Sequence, residues 1–249
     1  MRREELYRKG YYGRTSNYYD DIHNRVLEIF SYYSNKINKF LDIGCGDGNF
    51  SLLLKESCHA REVYGIEISK SYELAKDKLD KVLQLDASSD DFPFENNFFD
   101  AIYAGSVIEY IYDTDHFLSE VYRVLRNGGI FVLTFPNLAS IYNRIALLFG
   151  FQPYATSVSL KYRVGHIKLI NKNTHYPTST PRIITPITLR GLIELLHYYN
   201  FKIIYSTGAT SISKAMTSNN VLYRIFSLID KIISHFPSIS HNVIIIAKK

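Results

Sequence analysis

The sequence contains no tryptophan and only two cysteines, Cys45 and Cys58, among its 249 residues. Two thiols are too few for a disulfide framework in a chain of this length, and they fit a reducing compartment. The start of the sequence has no apolar run of the kind found in signal peptides. The longest uncharged stretches, between Arg126 and Arg144 and between Arg144 and Lys161, are shorter than a membrane span. We therefore expect a soluble, cytoplasmic protein without a transmembrane segment.

The excess of positive over negative residues is also small, since 29 Lys and Arg and 24 Asp and Glu give a net charge of only +5. A protein that reads duplex nucleic acid needs a concentrated basic face, so we expect that nucleic acid is not the main substrate. Hydrophobic residues make up 46% of the chain and charged residues 21%. These fractions exclude disorder throughout the chain and predict a sizeable core.

Short apolar runs alternate with amphipathic helical patterns along the chain. This alternation, with strands that are apolar on both faces, predicts an α/β fold with a mainly parallel sheet covered on both sides. Strands are expected at 39–43, 62–66, 81–85, 98–103, 130–135, 201–205 and 243–246, and the clearest helices at 22–30, 71–79, 115–126, 185–196 and 222–233.

The ends of two of these helices carry recognisable signals. Asn127-Gly128-Gly129 is expected to end the helix at 115–126 as a C-terminal cap. Thr185, followed by a proline, is expected to cap the start of the helix at 185–196. The helix at 221–233 is expected to cover the sheet, which is more ordinary for an amphipathic helix than contact with a membrane or a partner.

A glycine-rich turn follows the first expected strand, in the run Leu41-Asp42-Ile43-Gly44-Cys45-Gly46-Asp47-Gly48-Asn49. The glycines at 44 and 46 let the backbone turn tightly and approach a ligand closely. A dinucleotide fingerprint requires a third glycine at position 49, where Asn49 stands. Asp42 suits a ligand with a positively charged amino group and would repel a pyrophosphate. The turn therefore predicts a ligand site and disfavours a dinucleotide-dependent oxidoreductase.

Two further carboxylates follow the next two strands. Glu67 comes about twenty residues after the turn, where a carboxylate can accept hydrogen bonds from both hydroxyls of a ribose. Asp86 follows the third strand, where a carboxylate can accept a hydrogen bond from the exocyclic amine of an adenine. Either residue alone is more often a solvated charge at a strand end. Three acids at successive strand ends beside a glycine-rich turn, however, predict one ligand site at that edge of the sheet.

The run Phe40–Asn49 resembles motif I of the class I S-adenosylmethionine-dependent methyltransferases. The segment Phe98–Tyr110 resembles the post-motif segment of that family, and Arg123–Ile130 is similar to its R-x-L-x-x-G-G motif. The resemblance is strong over residues 37–136 and looser beyond them. It implies a Rossmann-like fold with a seven-stranded, mostly parallel sheet, helices on both faces and an antiparallel last strand. Within the family, the sequence is most similar to the ubiquinone/menaquinone-biosynthesis-like small-molecule branch.

The resemblance also implies methyl transfer from S-adenosylmethionine, without a metal ion, to a small-molecule, lipid or glycan-type acceptor. Two positions depart from the family pattern. Tyr110 follows Glu109 where the branch often has Glu-His, and Asn127 stands where a proline usually precedes the paired glycines. The donor-binding residues that the resemblance implies are Asp42, Gly44, Cys45, Gly46, Asp47, Glu67, Ile68, Asp86, Ala87 and Ser106.

The expected organisation is an N-terminal arm and helix at 1–36, over the donor and acceptor site, and a methyltransferase domain at 37–249. An insertion at 137–184, too long for an ordinary connection, is expected to act as a lid that faces the acceptor. His166 in this insertion is a candidate base because histidine titrates near neutrality, although a structural loop histidine is more common. Tyr19 is a second candidate. A methyltransferase-like module that binds without catalysis is the alternative, and the intact motif I argues against it.

Overall fold

The computed structural model describes residues 17–33, 37–154, 156, 158–159, 162, 164–167, 183–210 and 220–249, with the backbone alone for 17–20 and 220–223. One seven-stranded sheet organises this part of the chain. Its strands are β1 Lys39–Ile43, β2 Glu62–Glu67, β3 Lys81–Gln84, β4 Phe99–Gly105, β5 Leu125–Pro136, β6 Lys202–Ala209 and β7 Asn242–Lys248. Their order across the sheet is β3-β2-β1-β4-β5-β7-β6.

The pairing of these strands gives the sheet a parallel body and an antiparallel end. The strands β1 to β5 pair with their neighbours in parallel, whereas β7 pairs antiparallel with both β5 and β6. The expected seven-stranded sheet with an antiparallel last strand is therefore confirmed. Strand β1 lies between β2 and β4, so the order of the strands reverses beside it, and a crevice forms at the carboxyl ends of the strands.

Helices cover both faces of the sheet. The helices in the described part of the chain are α1 Asn17–Tyr32, α2 Asn49–Cys58, α3 Tyr72–Lys76, α4 Thr114–Val124, α5 Ile141–Leu148, α6 Leu189–Tyr198 and α7 Asn220–Ile233, with a short 3₁₀ turn at Ile108–Tyr110. On one face, α1 and α2 bury Phe30 and Leu54 completely. On the other face, α4 and α6 bury Phe117, Val121 and Leu192 completely. These two apolar layers hold the strand ends that form the site.

The prediction that Asn127-Gly128-Gly129 caps a helix is wrong, because these residues lie inside β5. Helix α4 ends at Val124 and β5 begins at the next residue. The pairing of β4 with β5 passes from Phe99 opposite Leu125 to Ala101 opposite Ile130, so the residues between form a bulge. Gly128 has φ +77° there. Glycine adopts the left-handed conformation both in bulges and after helices, so the sequence alone does not distinguish the two cases.

The start of α6 also differs from the prediction. The hydroxyl of Thr188 accepts a hydrogen bond of 3.1 Å from the backbone N–H of Gly191 and caps the helix. Thr185, the expected cap, donates its hydroxyl to the carbonyl oxygen of Ile111 at 2.7 Å. Thr185 therefore ties the segment before α6 to the end of the 3₁₀ turn rather than starting the helix.

The expected covering role of the last helix is wrong as well. From Ile225 to Ile232 the apolar side chains of α7 are exposed, whereas the side chains buried at its end, Asp230 and Ser234, are polar. The helical spacing at the start of the expected insertion corresponds to α5, and residues 168–182 of the insertion lie outside the described residues.

Candidate functional site

A cavity of about 640 Å³ opens at the carboxyl ends of the central strands, beside the reversal of strand order. This volume lies within the range of about 300–1,000 Å³ found for small-molecule sites. Six of the ten expected donor-binding residues line the cavity, namely Gly44, Glu67, Ile68, Asp86, Ala87 and Ser106. The other four, Asp42, Cys45, Gly46 and Asp47, lie outside its lining, in β1 and in the turn that follows.

The glycine-rich turn bends sharply where β1 ends. Gly44 has φ +77°, a left-handed conformation that side chains rarely adopt. The backbone N–H groups of Gly44 and Cys45 both donate to the carbonyl oxygen of Ile66, at 2.7 and 3.1 Å. A Cβ on Gly44 would overlap Cγ2 of Val107, which lines the cavity. The turn therefore has this shape only because residue 44 has no side chain.

Replacing Gly44 by alanine should destabilise the protein by more than the backbone strain alone. The left-handed conformation costs about 1–2 kcal/mol, and the overlap with Val107 adds about 1–3 kcal/mol. Gly150→Ala is the matched control, because Gly150 has φ +73° but no heavy atom within 4 Å of its Cβ position. Urea unfolding of both variants measures the difference. Equal losses of unfolding free energy in the two variants would show that Val107 does not restrict position 44.

Glu67 is held rigidly in the wall of the cavity. Its Oε2 atom accepts a hydrogen bond from the backbone N–H of Gly46 at 2.8 Å, and its Oε1 atom accepts one from the N–H of Ser69 at 2.8 Å. The side chain is 9% exposed. Each carboxylate oxygen can accept a second hydrogen bond. Glu67 can therefore fix the glycine-rich turn and still accept hydrogen bonds from the hydroxyls of a ligand.

Asp86 lines the cavity after β3. Its Oδ1 atom accepts a hydrogen bond of 2.9 Å from the backbone N–H of Ser88, and its own N–H donates to Oδ2 of Asp90 at 2.8 Å. These bonds form a tight turn that points toward the cavity. Apolar side chains of Ile68 and Ile111 also line the cavity. The wall thus combines carboxylate acceptors with apolar side chains, a combination that suits a nucleoside.

Asp42 lies behind the turn rather than in the cavity. It is 3% exposed, and its Oδ2 atom accepts a hydrogen bond of 2.6 Å from the hydroxyl of Ser51 in α2. Burial raises the pKa of Asp42 to about 7, the bond from Ser51 opposes this shift, and the charge of Glu67 adds to it. Asp42 therefore joins β1 to α2 in the structure. Its direct contact with an amino group of the donor stays a prediction.

Cys45 and Asp47 complete the turn. Burial raises the pKa of the Cys45 thiol, and the charges of Asp42 and Glu67 raise it further. A thiol held in its protonated form is a poor nucleophile. The carboxylate of Asp47 accepts hydrogen bonds from the backbone N–H and the side-chain amide of Asn49, at 3.1 and 2.6 Å. Both residues stabilise the turn, and their contact with a donor stays a prediction.

The end of β4 is a strained segment beside the cavity. Ser106 has φ +54°, which is uncommon for a residue with a side chain. The backbone N–H of Ser106 donates to the carbonyl oxygen of Thr134 at 2.9 Å and to the hydroxyl of Thr134 at 3.2 Å. Neighbouring β5 therefore holds Ser106 in this conformation. Such strain is common where a backbone is shaped for ligand contact.

Glu109 is a buried acid that the sequence reasoning missed. It follows β4 in the 3₁₀ turn, is 3% exposed, and its Oε2 atom has no hydrogen-bond partner among the described residues. Burial raises the pKa of Glu109 to about 7. Burial also raises the pKa of Tyr103, and the charges of Asp42 and Glu109 contribute to that rise. No residue next to Glu109 in the sequence signals this burial.

Of the two candidate catalytic residues, His166 lies outside the cavity lining. His166 is half-buried, its Nδ1 atom lies 3.1 Å from the carbonyl oxygen of Gln152, and its ring stacks on Tyr154 at 5.7 Å between centroids. Tyr19 lies in the first turn of α1, where only the backbone is described. A catalytic role for either residue stays a prediction.

Within the described ranges, no three or more His, Cys, Asp or Glu side chains are grouped so that they could hold a metal ion. In the same part of the chain, none of the helices has the length and apolar character needed to cross a membrane.

The comparison with known sequences gives a match to the family described as "Methyltransferase domain" over residues 41–133. The chain is 31% identical over 114 residues to 2-methyl-6-phytyl-1,4-hydroquinone methyltransferase 2 of Oryza sativa subsp. japonica, which covers 45% of this chain and 32% of that protein. It is also 31% identical over 121 residues to a demethylmenaquinone methyltransferase of Staphylococcus aureus, which covers 45% of this chain and 50% of that protein. The chain thus spans half or less of the length of these relatives.

Solved structures match a much larger part of the chain. An S-adenosylmethionine-dependent methyltransferase of Archaeoglobus fulgidus aligns over 92% of this chain and 93% of its own, with a TM-score of 0.57 and 18% identity. A geranyl diphosphate C-methyltransferase of Streptomyces coelicolor aligns over 90% of this chain and 77% of its own, with a TM-score of 0.57 and 14% identity.

The strand order, the antiparallel β7 and the cavity at the reversal point define a Rossmann-like methyltransferase fold. The family match begins in β1 and ends in β5, and therefore contains the glycine-rich turn and the acids that follow it. The family match over residues 41–133 and the shared fold together support a class I S-adenosylmethionine-dependent methyltransferase.

Proposed function

We propose that this protein transfers a methyl group from S-adenosylmethionine to a small organic acceptor, and that quinol-type molecules are the first class to test. The observation that carries the proposal is the cavity at the reversal of strand order, in which Glu67 and Asp86 stand at successive strand ends. The relatives from Oryza sativa and Staphylococcus aureus methylate quinone-type compounds according to their names, which supports this choice of acceptor.

The residues of the cavity fit the donor in size and in chemistry. A nucleoside presents hydroxyl and amine donors, and the carboxylates of Glu67 and Asp86 are acceptors that match them. Ile68, Leu85 and Ile111 supply apolar contact for a base. The two backbone hydrogen bonds on Glu67 keep its carboxylate in place before a ligand arrives, so little ordering is required when the ligand binds.

The chemistry asked of the chain is mainly positioning. When bound, S-adenosylmethionine supplies a methyl group that its sulfonium has already activated. The protein then has to align the acceptor and keep water out of the site. The strained backbone at Ser106 and the 3₁₀ turn at Ile108–Tyr110 border the cavity at the end of β4. We assign the acceptor to this side, away from Glu67 and Asp86.

Incubation with methyl-labelled S-adenosylmethionine and a panel of reduced quinones tests the proposal. The expected result is label in the organic phase that depends on the quinol, with a lower rate for Glu67→Ala. Glu62→Ala is the matched control, since Glu62 lies at the other end of the same strand and accepts a hydrogen bond from Tyr64. Binding of S-adenosylhomocysteine without transfer to any quinol or any compound of a cell extract would contradict methyl transfer.

A further inference from the structure

The last helix of the fold, α7, exposes apolar side chains and buries polar ones. On α7, the side chains of Ile225, Leu228 and Ile232 are 50%, 62% and 57% exposed. Phe226 and Ile229 are exposed beside them. At 100° per residue these five positions form one stripe along the helix. We call these five residues the α7 surface.

The side of α7 that faces the protein is polar instead. Asp230 is 2% exposed and accepts a hydrogen bond of 2.9 Å from the hydroxyl of Tyr142 in α5. Ser234, just after the helix, is buried and its hydroxyl lies 3.4 Å from the guanidinium of Arg25 in α1. Hydrogen bonds therefore hold α7 in this orientation. Burial of the apolar stripe does not fix it, so the stripe is available to another partner.

The exposed charged side chains on α7 have one sign. Arg224 and Lys231 are exposed on α7, whereas its one acid, Asp230, is buried. The sequence shows the same bias on a larger scale. Residues 121–249 contain 15 Lys and Arg but only two acids, Glu194 and Asp230, while residues 1–120 contain 14 Lys and Arg and 22 acids. The modest net charge of the whole chain therefore conceals a strongly basic second half.

The position of α7 connects this surface to the site. The chain runs from α7 through a turn into β7, whose first residue, Asn242, pairs with Pro136 at the carboxyl end of β5. The cavity opens at the same edge of the sheet. Helix α5 begins at this edge too, and it exposes Leu148, with Phe149 directly after it. The turn between α7 and β7 is joined to the start of α5 by the hydrogen bond from the N–H of Ile141 to the carbonyl oxygen of Ile239 at 2.8 Å.

We propose that the α7 surface docks on an anionic phospholipid bilayer, with the helix lying in the plane of the interface. A helix with an apolar stripe bordered by cations is the form that binds at such interfaces. A second copy of the chain would bring two basic surfaces together, and a nucleic acid would leave the apolar stripe in water. The bilayer is the occupant that satisfies both features. The proposal goes beyond methyl transfer and does not depend on it.

Sedimentation of the full chain with vesicles tests this docking. The protein should sediment with vesicles that contain phosphatidylglycerol, and much less with phosphatidylcholine alone. Leu228→Ser should lower the partition coefficient about tenfold, as expected for one large apolar side chain. Lys231→Ala should lower it about fivefold at low salt, and this loss should shrink as salt rises.

Leu74→Ser is the matched control, because Leu74 on α3 is 61% exposed, as Leu228 is 62% exposed, but lies far from α7 in the chain. It should leave partitioning unchanged, and thermal unfolding should show that both variants stay folded. No sedimentation with anionic vesicles, or an equal loss in the Leu74 variant, would overturn the proposal. A dimer in ultracentrifugation that Leu228→Ser dissociates would assign the surface to a second copy. RNA binding that excludes vesicles and survives Leu228→Ser would also overturn it.

Discussion

Glu67→Ala should weaken the binding of S-adenosylhomocysteine by about 1–3 kcal/mol, or roughly five- to 150-fold. The loss has two sources in the structure. The variant removes an acceptor for the hydroxyls of the ligand, and it also leaves the N–H groups of Gly46 and Ser69 without the carboxylate that now accepts from them. Titration calorimetry with S-adenosylhomocysteine measures the effect directly and needs no acceptor.

Two further variants separate these sources. Glu67→Gln keeps one acceptor oxygen but turns an amide NH₂ toward either Gly46 or Ser69, so its affinity should lie between those of wild type and Glu67→Ala. Glu62→Ala removes a carboxylate from the other end of β2 and should bind as wild type does. An unchanged affinity in a folded Glu67→Ala variant would mean that the donor does not bind across the end of β2.

Glu109→Gln should stabilise the protein by about 3 kcal/mol at pH 8 and have little effect at pH 4. The pKa of Glu109 in the folded protein is raised from 4.5 to about 7 because the side chain is buried. Between pH 4.5 and about pH 7, Glu109 is therefore ionised in the unfolded chain but still protonated in the folded protein. The stability that protonated Glu109 contributes is therefore complete below about pH 4.5 and is lost as pH rises to about 7. Glutamine does not titrate, so the variant avoids this loss.

Urea unfolding of wild type and variant at several pH values provides the measurement. Asp42 also has a raised pKa, but it is present in both proteins and its contribution cancels in the difference. Glu95→Gln, in the exposed loop before β4, controls for the change in net charge. If the difference between wild type and Glu109→Gln were the same at pH 4 and pH 8, a partner for the Glu109 carboxylate would have to exist in the folded protein.

The central part of the fold and the carboxylates of the site could be predicted from the sequence because they depend on local patterns. Apolar runs predicted where the strands lie, and residues that follow parallel strands must meet at one edge of the sheet. Gly44, Glu67 and Asp86 therefore lie around the same cavity. Their contact with the donor remains a prediction, since it depends on a ligand whose pose no sequence pattern describes.

The features that the sequence did not predict depend on contacts between distant residues. The burial of Glu109 results from packing around the end of β4, and no neighbouring residue in the sequence indicates it. The orientation of α7 depends on the hydrogen bond between Asp230 and Tyr142, 88 positions apart. The amphipathic pattern of α7 was visible, but the pattern alone cannot say which side of a helix faces the protein.

The position of β7 between β5 and β6 has a consequence for the order in which the molecule can assemble. Strand β6 pairs with β7 alone, and β7 also pairs with β5. During synthesis, β6 therefore leaves the ribosome without a strand to join, and it has to wait until residues 242–248 have followed it. The parallel strands from β1 to β5 can associate before then, with the edge of β5 uncovered. This interval is when a nascent chain of this kind is most exposed to aggregation through an unpaired strand edge.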